Sequence, residues 1–167
     1  MQPPKRKLLL CLTSESHSES AFNWVLCSLL QESDSLTMII VIPPSSQNAN
    51  TFTSCYAATP PSALSESLTA AHRTHVQEAC TRFMHSKEQQ VRAKFPQVSV
   101  QVQVVEGDAK EQIIEAALRL KPDLLVMGSK SIGRLRQALL GSVSDYCVHH
   151  SPFPVLIIKE HREGQRE

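Results

Sequence analysis

The sequence lacks most of the features that mark specialised classes of protein. Its 167 residues include 17 basic and 16 acidic side chains, a net charge of +1, whereas a nucleic-acid-binding protein normally carries a basic excess. Five glycines and ten prolines are too few for a fibrous or disordered chain. Its apolar runs are far shorter than the roughly 18 residues that span a membrane. These absences predict one globular domain with no nucleic-acid or membrane partner.

Cysteine and histidine are spaced poorly for cross-linking or metal binding. The cysteines are odd in number, far apart and without a C-x-x-C pair, which argues against a disulfide framework or a zinc ribbon; they are Cys11, Cys27, Cys55, Cys80 and Cys147. His72 and His75 have no evident third ligand, so we predict no metal site and expect both to pack on a helix. We expect a reduced, cytoplasmic protein in which Cys11 is core and Cys55 is the exposed thiol.

Apolar runs alternate with helical patterns, which indicates βαβ units and a parallel sheet. Lys5, Arg6 and Lys7 precede only five apolar residues, fewer than the roughly 7–15 of a signal peptide, so this run is predicted to be a buried strand. The predicted strands are Leu8–Leu12, Leu36–Ile42, Val98–Val104, Asp123–Met127 and Pro154–Lys159. The third alternates with polar residues, which places it at or near a sheet edge. We predict one doubly wound α/β domain over residues 1–160 and a charged tail over 161–167.

Four helices are predicted between these strands. Ser16 and Glu19 have the spacing of a capping box at the first, and Asp108 caps the third. The second runs from about Ser65 to Lys94, and the last lies near Val143–His149. The apolar stripes of the second and third helices are predicted at Leu68, His72, Val76, Ala79 and Phe83, and at Ile113, Ile114, Ala117 and Leu118. The polar stretch from Ser45 to Ser62 is a long loop, either functional or mobile.

Most of the candidate ligand-binding residues lie between the fourth strand and the last helix. Gly128 ends a buried parallel strand, where open α/β sheets bind ligands, and Gly141-Ser142 opens a helix whose free amides favour an anion. Lys130 and Arg134 add positive charge, so the segment can form a phosphate cradle. The alternative is that Gly128 merely ends the strand and Gly141 accommodates a close helix contact. Neither a Walker A loop nor a dinucleotide fingerprint is present.

Asp145 and His149 stand four residues apart on the last predicted helix. They could form part of a hydrolase triad or half a metal site, but no G-x-S-x-G elbow is present. An exposed ion pair is the favoured interpretation. We therefore predict no catalytic residue.

The sequence resembles the universal stress proteins, in particular their ATP-binding, plant-like branch, over nearly the whole chain, least around Ser45–Ser65 and most specifically in its C-terminal motif. That branch carries a glycine, two residues, a second glycine, nine residues and then Gly-Ser or Gly-Thr, which Gly128 and Gly141-Ser142 match. The runs 139–144, 149–152 and 154–158 are similar to the family's last block. Gly107-Asp108 and Val41 also fit the family pattern.

The resemblance implies a Rossmann-like five-stranded sheet of order 3-2-1-4-5 that binds ATP or AMP, with or without magnesium. It places adenine near Val41 and Met127, ribose at the end of the first strand, and phosphates near the two glycines. It also implies a homodimer formed through the last strand, at Val155, Leu156, Ile157 and Ile158, and an unidentified protein partner. The nucleotide-binding residues so implied are Thr13, Ser14, Val41, Met127, Gly128, Ser129, Lys130, Ser131, Gly133, Gly141, Ser142, Val143 and Ser144.

Three positions depart from the family pattern. Thr13 replaces the usual aspartate, Ser14 the glycine that often follows it, and Ser131 the second motif glycine, for which Gly133 can partly compensate. One hypothesis is a regulatory protein whose association is controlled by ATP or AMP. The other is a dimeric interaction scaffold whose nucleotide site has decayed. Slow ATP hydrolysis is a weaker third, because no general base is evident.

Overall fold

The computed structural model describes residues 5–13, 16–44, 66–129 and 140–159. Within these residues five strands alternate with four helices, as the sequence predicted. In chain order the elements are β1 (Lys7–Leu12), α1 (Ser16–Trp24, continued by a π-helical turn at Val25–Leu29), β2 (Ser35–Ile42), α2 (Glu66–Lys94), β3 (Ser99–Glu106), α3 (Ala109–Leu120), β4 (Leu124–Ser129), α4 (Ser142–His150) and β5 (Val155–Lys159). No helix within the described ranges has the length and apolar character needed to cross a membrane.

The strands form one parallel sheet of order β3-β2-β1-β4-β5, which confirms the predicted topology. Leu10 at the centre of β1 pairs with Met38 of β2 on one side and Val126 of β4 on the other. β3 lies at one edge, as its alternating pattern predicted. The inner strands read as continuous apolar runs because helices cover both of their faces.

Two apolar clusters hold the helices to the sheet. On one face, α1 and α2 pack on alternate strand residues through a cluster that includes Phe22 and Met84. On the other, α3 and α4 pack through a cluster that includes Ala117 and Cys147. Cys11 belongs to this second cluster, and burial raises the pKa of its thiol well above the ordinary value, so Cys11 is core as predicted. Cys55 lies outside the described residues.

The amino-terminal ends of the strands are tied by a buried carboxylate. Asp34, just before β2, accepts from Arg6 Nε at 2.9 Å and from Arg6 Nη2 at 2.7 Å. The same carboxylate accepts the Gln31 amide at 2.9 Å. Arg6 Nη2 also donates to the Leu29 carbonyl at 3.1 Å. This network anchors the start of β1 to the end of the π-helical turn.

The turn before α3 is set by two residues. Asp108 caps the helix as predicted, accepting the amides of Lys110 at 2.9 Å and Glu111 at 3.3 Å. Gly107 has φ of +152°, and a Cβ there would lie 2.8 Å from Gln112 Cγ. Gly107 is therefore required by the fold, since an L side chain would be both strained and crowded.

Glu19 accepts from Lys87 of α2, and the Ser16 side chain lies outside the described part of the chain, so the capping box stays a prediction. Three other local predictions are wrong. The buried stripe of α2 is shifted from the predicted one, with Ala79 and Phe83 only half-buried, and consists of Val76, Cys80, Met84, Lys87 and Val91. Leu118 is 54% exposed because Ala116 takes the inward position on α3. His75 is exposed rather than packed, and the side chains of Leu68 and His72 lie outside the described part of the chain, as do residues 45–65 and 160–167.

Candidate functional site

The candidate site lies where the sheet reverses its order. From β1 the chain runs outward through β2 and β3, then returns to the other side of β1 as β4 and β5. Connections leaving the carboxyl ends of β1 and β4 therefore diverge to opposite faces of the sheet, which opens a crevice where such folds bind ligands. Thr13 follows β1 directly, and Gly128 and Ser129 end β4. Ser14, Lys130, Ser131 and Gly133 lie outside the described residues.

The amino terminus of α4 supplies hydrogen-bond donors near this edge. Gly141 is the N-cap, with φ of −63° and ψ of 154°, and has no side chain to cap the helix. The first helical amides have no partner within the helix, so those of Ser142 and Val143 can receive an anion. Ser142 is exposed. The Ser144 hydroxyl is buried and donates to the Gly141 carbonyl at 2.9 Å, so it stabilises the turn.

Gly141 has free space where a side chain would be. A Cβ built there meets Ser144 Oγ at 3.6 Å, an ordinary contact, and no other heavy atom of the described residues within 4 Å except its chain neighbours. The backbone angles suit any residue. Among the described residues, no helix contact requires a glycine at this position. The space lies beside the first amides of α4, which have no partner within the helix, and the described packing does not require this glycine as it requires Gly107.

Thr13 is held in place from α1. Its backbone amide donates to Ser18 Oγ at 2.8 Å, and the Ser18 side chain is buried. Thr13 itself is exposed. The residue that replaces the family's aspartate therefore presents an exposed surface at the carboxyl end of β1.

Val41 and Met127 flank the central strand on the α3 and α4 side. Met127 is aligned with Cys11 of β1, and Cys11 with Ile39 of β2, two residues before Val41. Met127 is buried and Val41 is half-buried. Both belong to the same apolar cluster. The two residues that the resemblance assigns to adenine thus lie on the same face of the sheet, both near the carboxyl ends of their strands.

Asp145 and His149 form the exposed pair predicted for α4. His149 Nδ1 lies 3.8 Å from Asp145 Oδ1, and their side chains are 65% and 56% exposed. No cluster of three His, Cys, Asp or Glu side chains able to hold a metal occurs within the described residues. His149 Nδ1 lies closer to the Asp145 backbone carbonyl, at 2.8 Å, so the two side chains belong to a solvated helix face on which an ion pair is weak.

Sequence reasoning missed Lys87, whose side chain is only 7% exposed. Its ammonium contacts both carboxylate oxygens of Glu19, at 2.6 and 2.5 Å. It also lies 4.6 Å from the Phe22 ring centroid and 5.4 Å from that of Phe83. A signal was present: Phe83 stands four residues before Lys87, a spacing that brings a cation and a ring together on one helix face.

Comparison with known proteins identifies the family. The model of the universal stress protein family matches residues 5–159. The universal stress protein A-like protein of Arabidopsis thaliana is 40% identical over 57 residues, which cover 34% of this chain and 33% of that protein. Universal stress protein PHOS34 of Arabidopsis thaliana is 27% identical over 171 residues, 96% of this chain and 65% of that protein. These matches span less than two thirds of the length of either relative.

Solved structures agree on the fold. Hypothetical protein MJ0577 superposes with a TM-score of 0.70 at 21% identity, over 95% of this chain and 98% of that one. A universal stress protein family protein from Arabidopsis thaliana, solved with AMP bound, gives a TM-score of 0.54 at 20% identity, over 95% and 93%. With the sheet order, the crevice and the family match over residues 5–159, these likenesses lead to one conclusion: the chain belongs to the universal stress protein family.

Proposed function

We propose that this chain binds an adenine nucleotide, ATP or AMP, in the crevice between the carboxyl ends of β1 and β4 and the amino terminus of α4. The observation that carries the proposal is the free space at Gly141. A glycine that neither its backbone angles nor the packing of the described residues requires stands beside amides that have no partner within their helix, where a phosphate needs close approach. The AMP bound to the Arabidopsis thaliana protein of the same fold supports the choice of an adenine nucleotide.

Each part of the site has a proposed role. The amides of Ser142 and Val143 and the Ser142 hydroxyl bind phosphate oxygens, and the exposed Thr13 meets the ribose. Val41 and Met127 contact the adenine. Gly128, Ser129, Lys130, Ser131 and Gly133 complete the phosphate side, and Ser14 the ribose side. Ser144 supports the turn through its bond to the Gly141 carbonyl.

We propose that the nucleotide controls association. The ligand would contact the end of β4 and the start of α4, and α4 leads directly into the edge strand β5. An apolar edge strand is a surface that proteins normally cover, and a two-fold pairing of β5 with a second copy would do so. Binding beside α4 would therefore bias the surface that β5 offers to a second copy or another protein.

The direct test is to denature the purified protein and identify any released nucleotide by chromatography, then to titrate the nucleotide-free protein with ATP and AMP by calorimetry. Gly141→Val should fold with native circular dichroism and bind at least about tenfold more weakly, a loss of about 1.4 kcal/mol. Gly107→Ala is the contrasting variant, since it should lower stability and leave affinity unchanged.

The outcomes separate the two hypotheses. A folded Gly141→Val protein with wild-type affinity would overturn the phosphate site. A folded wild-type dimer that releases no nucleotide and gives no heat with either ligand would instead support the interaction scaffold with a decayed site.

A further inference from the structure

Lys87 occupies an unusual place for a lysine, on the inner stripe of α2 facing α1. Its ammonium is enclosed by the Phe22 and Phe83 rings and has Glu19 as its carboxylate partner. Burying an ammonium is costly unless it is paired. The contact with Glu19 is therefore what allows a lysine at this position.

Packing between α1 and α2 does not by itself explain why residue 87 is a lysine and not an apolar residue. The Glu19 side chain is 47% exposed, so it would remain hydrated without its partner. An apolar side chain between the two rings would fill the same space, and such replacements of buried ion pairs are often neutral or stabilising. An ion pair between two helices instead fixes the position of one helix relative to the other.

The turn of α1 that this ion pair holds is connected to the crevice. Glu19 lies in the first turn of α1, next to Ser18. The buried Ser18 hydroxyl accepts the Thr13 amide at 2.8 Å, and Thr13 is the first residue after β1. A continuous series of contacts thus runs from Lys87 through Glu19 and Ser18 to Thr13.

We propose that Lys87 is a positioning residue for the nucleotide site: by pairing with Glu19 it fixes the first turn of α1, and through Ser18 it holds Thr13 where the ribose is bound. This inference rests on the proposed function. The inference gives α2 a part in nucleotide affinity. The family resemblance does not link this helix to the ligand.

The test is Lys87→Met in the full chain, because methionine is apolar and similar in length. The urea midpoint should be unchanged or higher. Affinity for AMP should fall about two- to thirteenfold, the range that corresponds to one hydrogen bond, and exchange of the Thr13 amide in ligand-free protein should quicken. The matched control is Arg92→Met, which removes the exposed pair with Glu88 on the same helix and should leave AMP affinity and Thr13 exchange unchanged.

A double variant tests whether the pair acts as a unit. Lys87→Met combined with Glu19→Gln should bind AMP as Lys87→Met does, since the interaction is already lost. Wild-type affinity together with wild-type Thr13 exchange in Lys87→Met would overturn the proposal. If wild type binds no AMP but Thr13 exchange quickens in Lys87→Met, nucleotide binding is overturned and the positioning of Thr13 by Lys87 is supported.

Discussion

Replacing Asp34 by alanine should cause a large loss of stability although Asp34 is far from the crevice. Its side chain is fully buried and accepts two hydrogen bonds from Arg6 and one from the Gln31 amide. Asp34→Ala leaves those donors without their acceptor. Removing one partner of a buried ion pair costs about 3–5 kcal/mol. Since the Arg6 side chain is 36% exposed and can be rehydrated, we expect the lower limit, about 3 kcal/mol.

The measurement is urea unfolding followed by circular dichroism, with thermal unfolding alongside. For a chain of this size 1 kcal/mol shifts Tm by about 2–4 °C, so Tm should fall by about 6–12 °C. The control is Glu78→Ala, which removes the exposed pair with Arg82 at 3.7 Å and should change stability by at most about 0.5 kcal/mol. A loss below about 1 kcal/mol for Asp34→Ala would refute this reasoning, because surface pairs contribute no more than that.

Three further results are expected. Thr13→Asp with Ser131→Gly should raise nucleotide affinity about five- to 150-fold by restoring a charged acceptor and backbone freedom; calorimetry showing no gain in either single variant or the double would contradict the decayed-site hypothesis. Leu156→Glu should yield a monomer or an insoluble product, and light scattering that still finds a folded dimer would exclude pairing through β5. Hydrogen bonding from Arg92 lowers the pKa of Glu88, so its contribution to stability is present above the unfolded pKa of about 4.3 and is lost as pH falls through the lower folded pKa. Unfolding midpoints from pH 6 to 3 should therefore fall less steeply in Glu88→Gln than in wild type.

Features that depend on neighbouring residues alone were predictable from the sequence. The continuous apolar run of β1 and the alternation of β3 reflect how many faces of each strand are covered. Asp108 could be identified as a cap because its carboxylate accepts from the amides two and three residues further along the chain. These patterns sufficed for the element order, and the resemblance supplied the strand order.

Features that depend on distant partners were not predictable in this way. The carboxylate of Glu19 accepts from Lys87, 68 positions further on, and no local pattern points to that contact. The predicted stripe of α2 ended at Phe83, whereas its buried residues continue through Lys87 to Val91, and a lysine is rarely buried. At the site, the glycine at 141 could be selected from the motif, whereas its unused space and the bond from the Ser144 hydroxyl depend on the exact turn of α4.

The central place of β1 has a consequence for synthesis on the ribosome. β1 leaves the exit tunnel before the other four strands. It can pair with β2, and β2 with β3, once residues up to about 106 have emerged, but the other edge of β1 pairs with β4, which ends at Ser129. At about 5–20 residues per second, that interval lasts roughly 1–5 s. During this time the middle of the finished sheet is an open apolar edge, the kind of surface that recruits other strands. The nascent chain should therefore be most vulnerable to aggregation just before β4 emerges. A nucleotide bound at the proposed site could not protect it, because α4 is made later still.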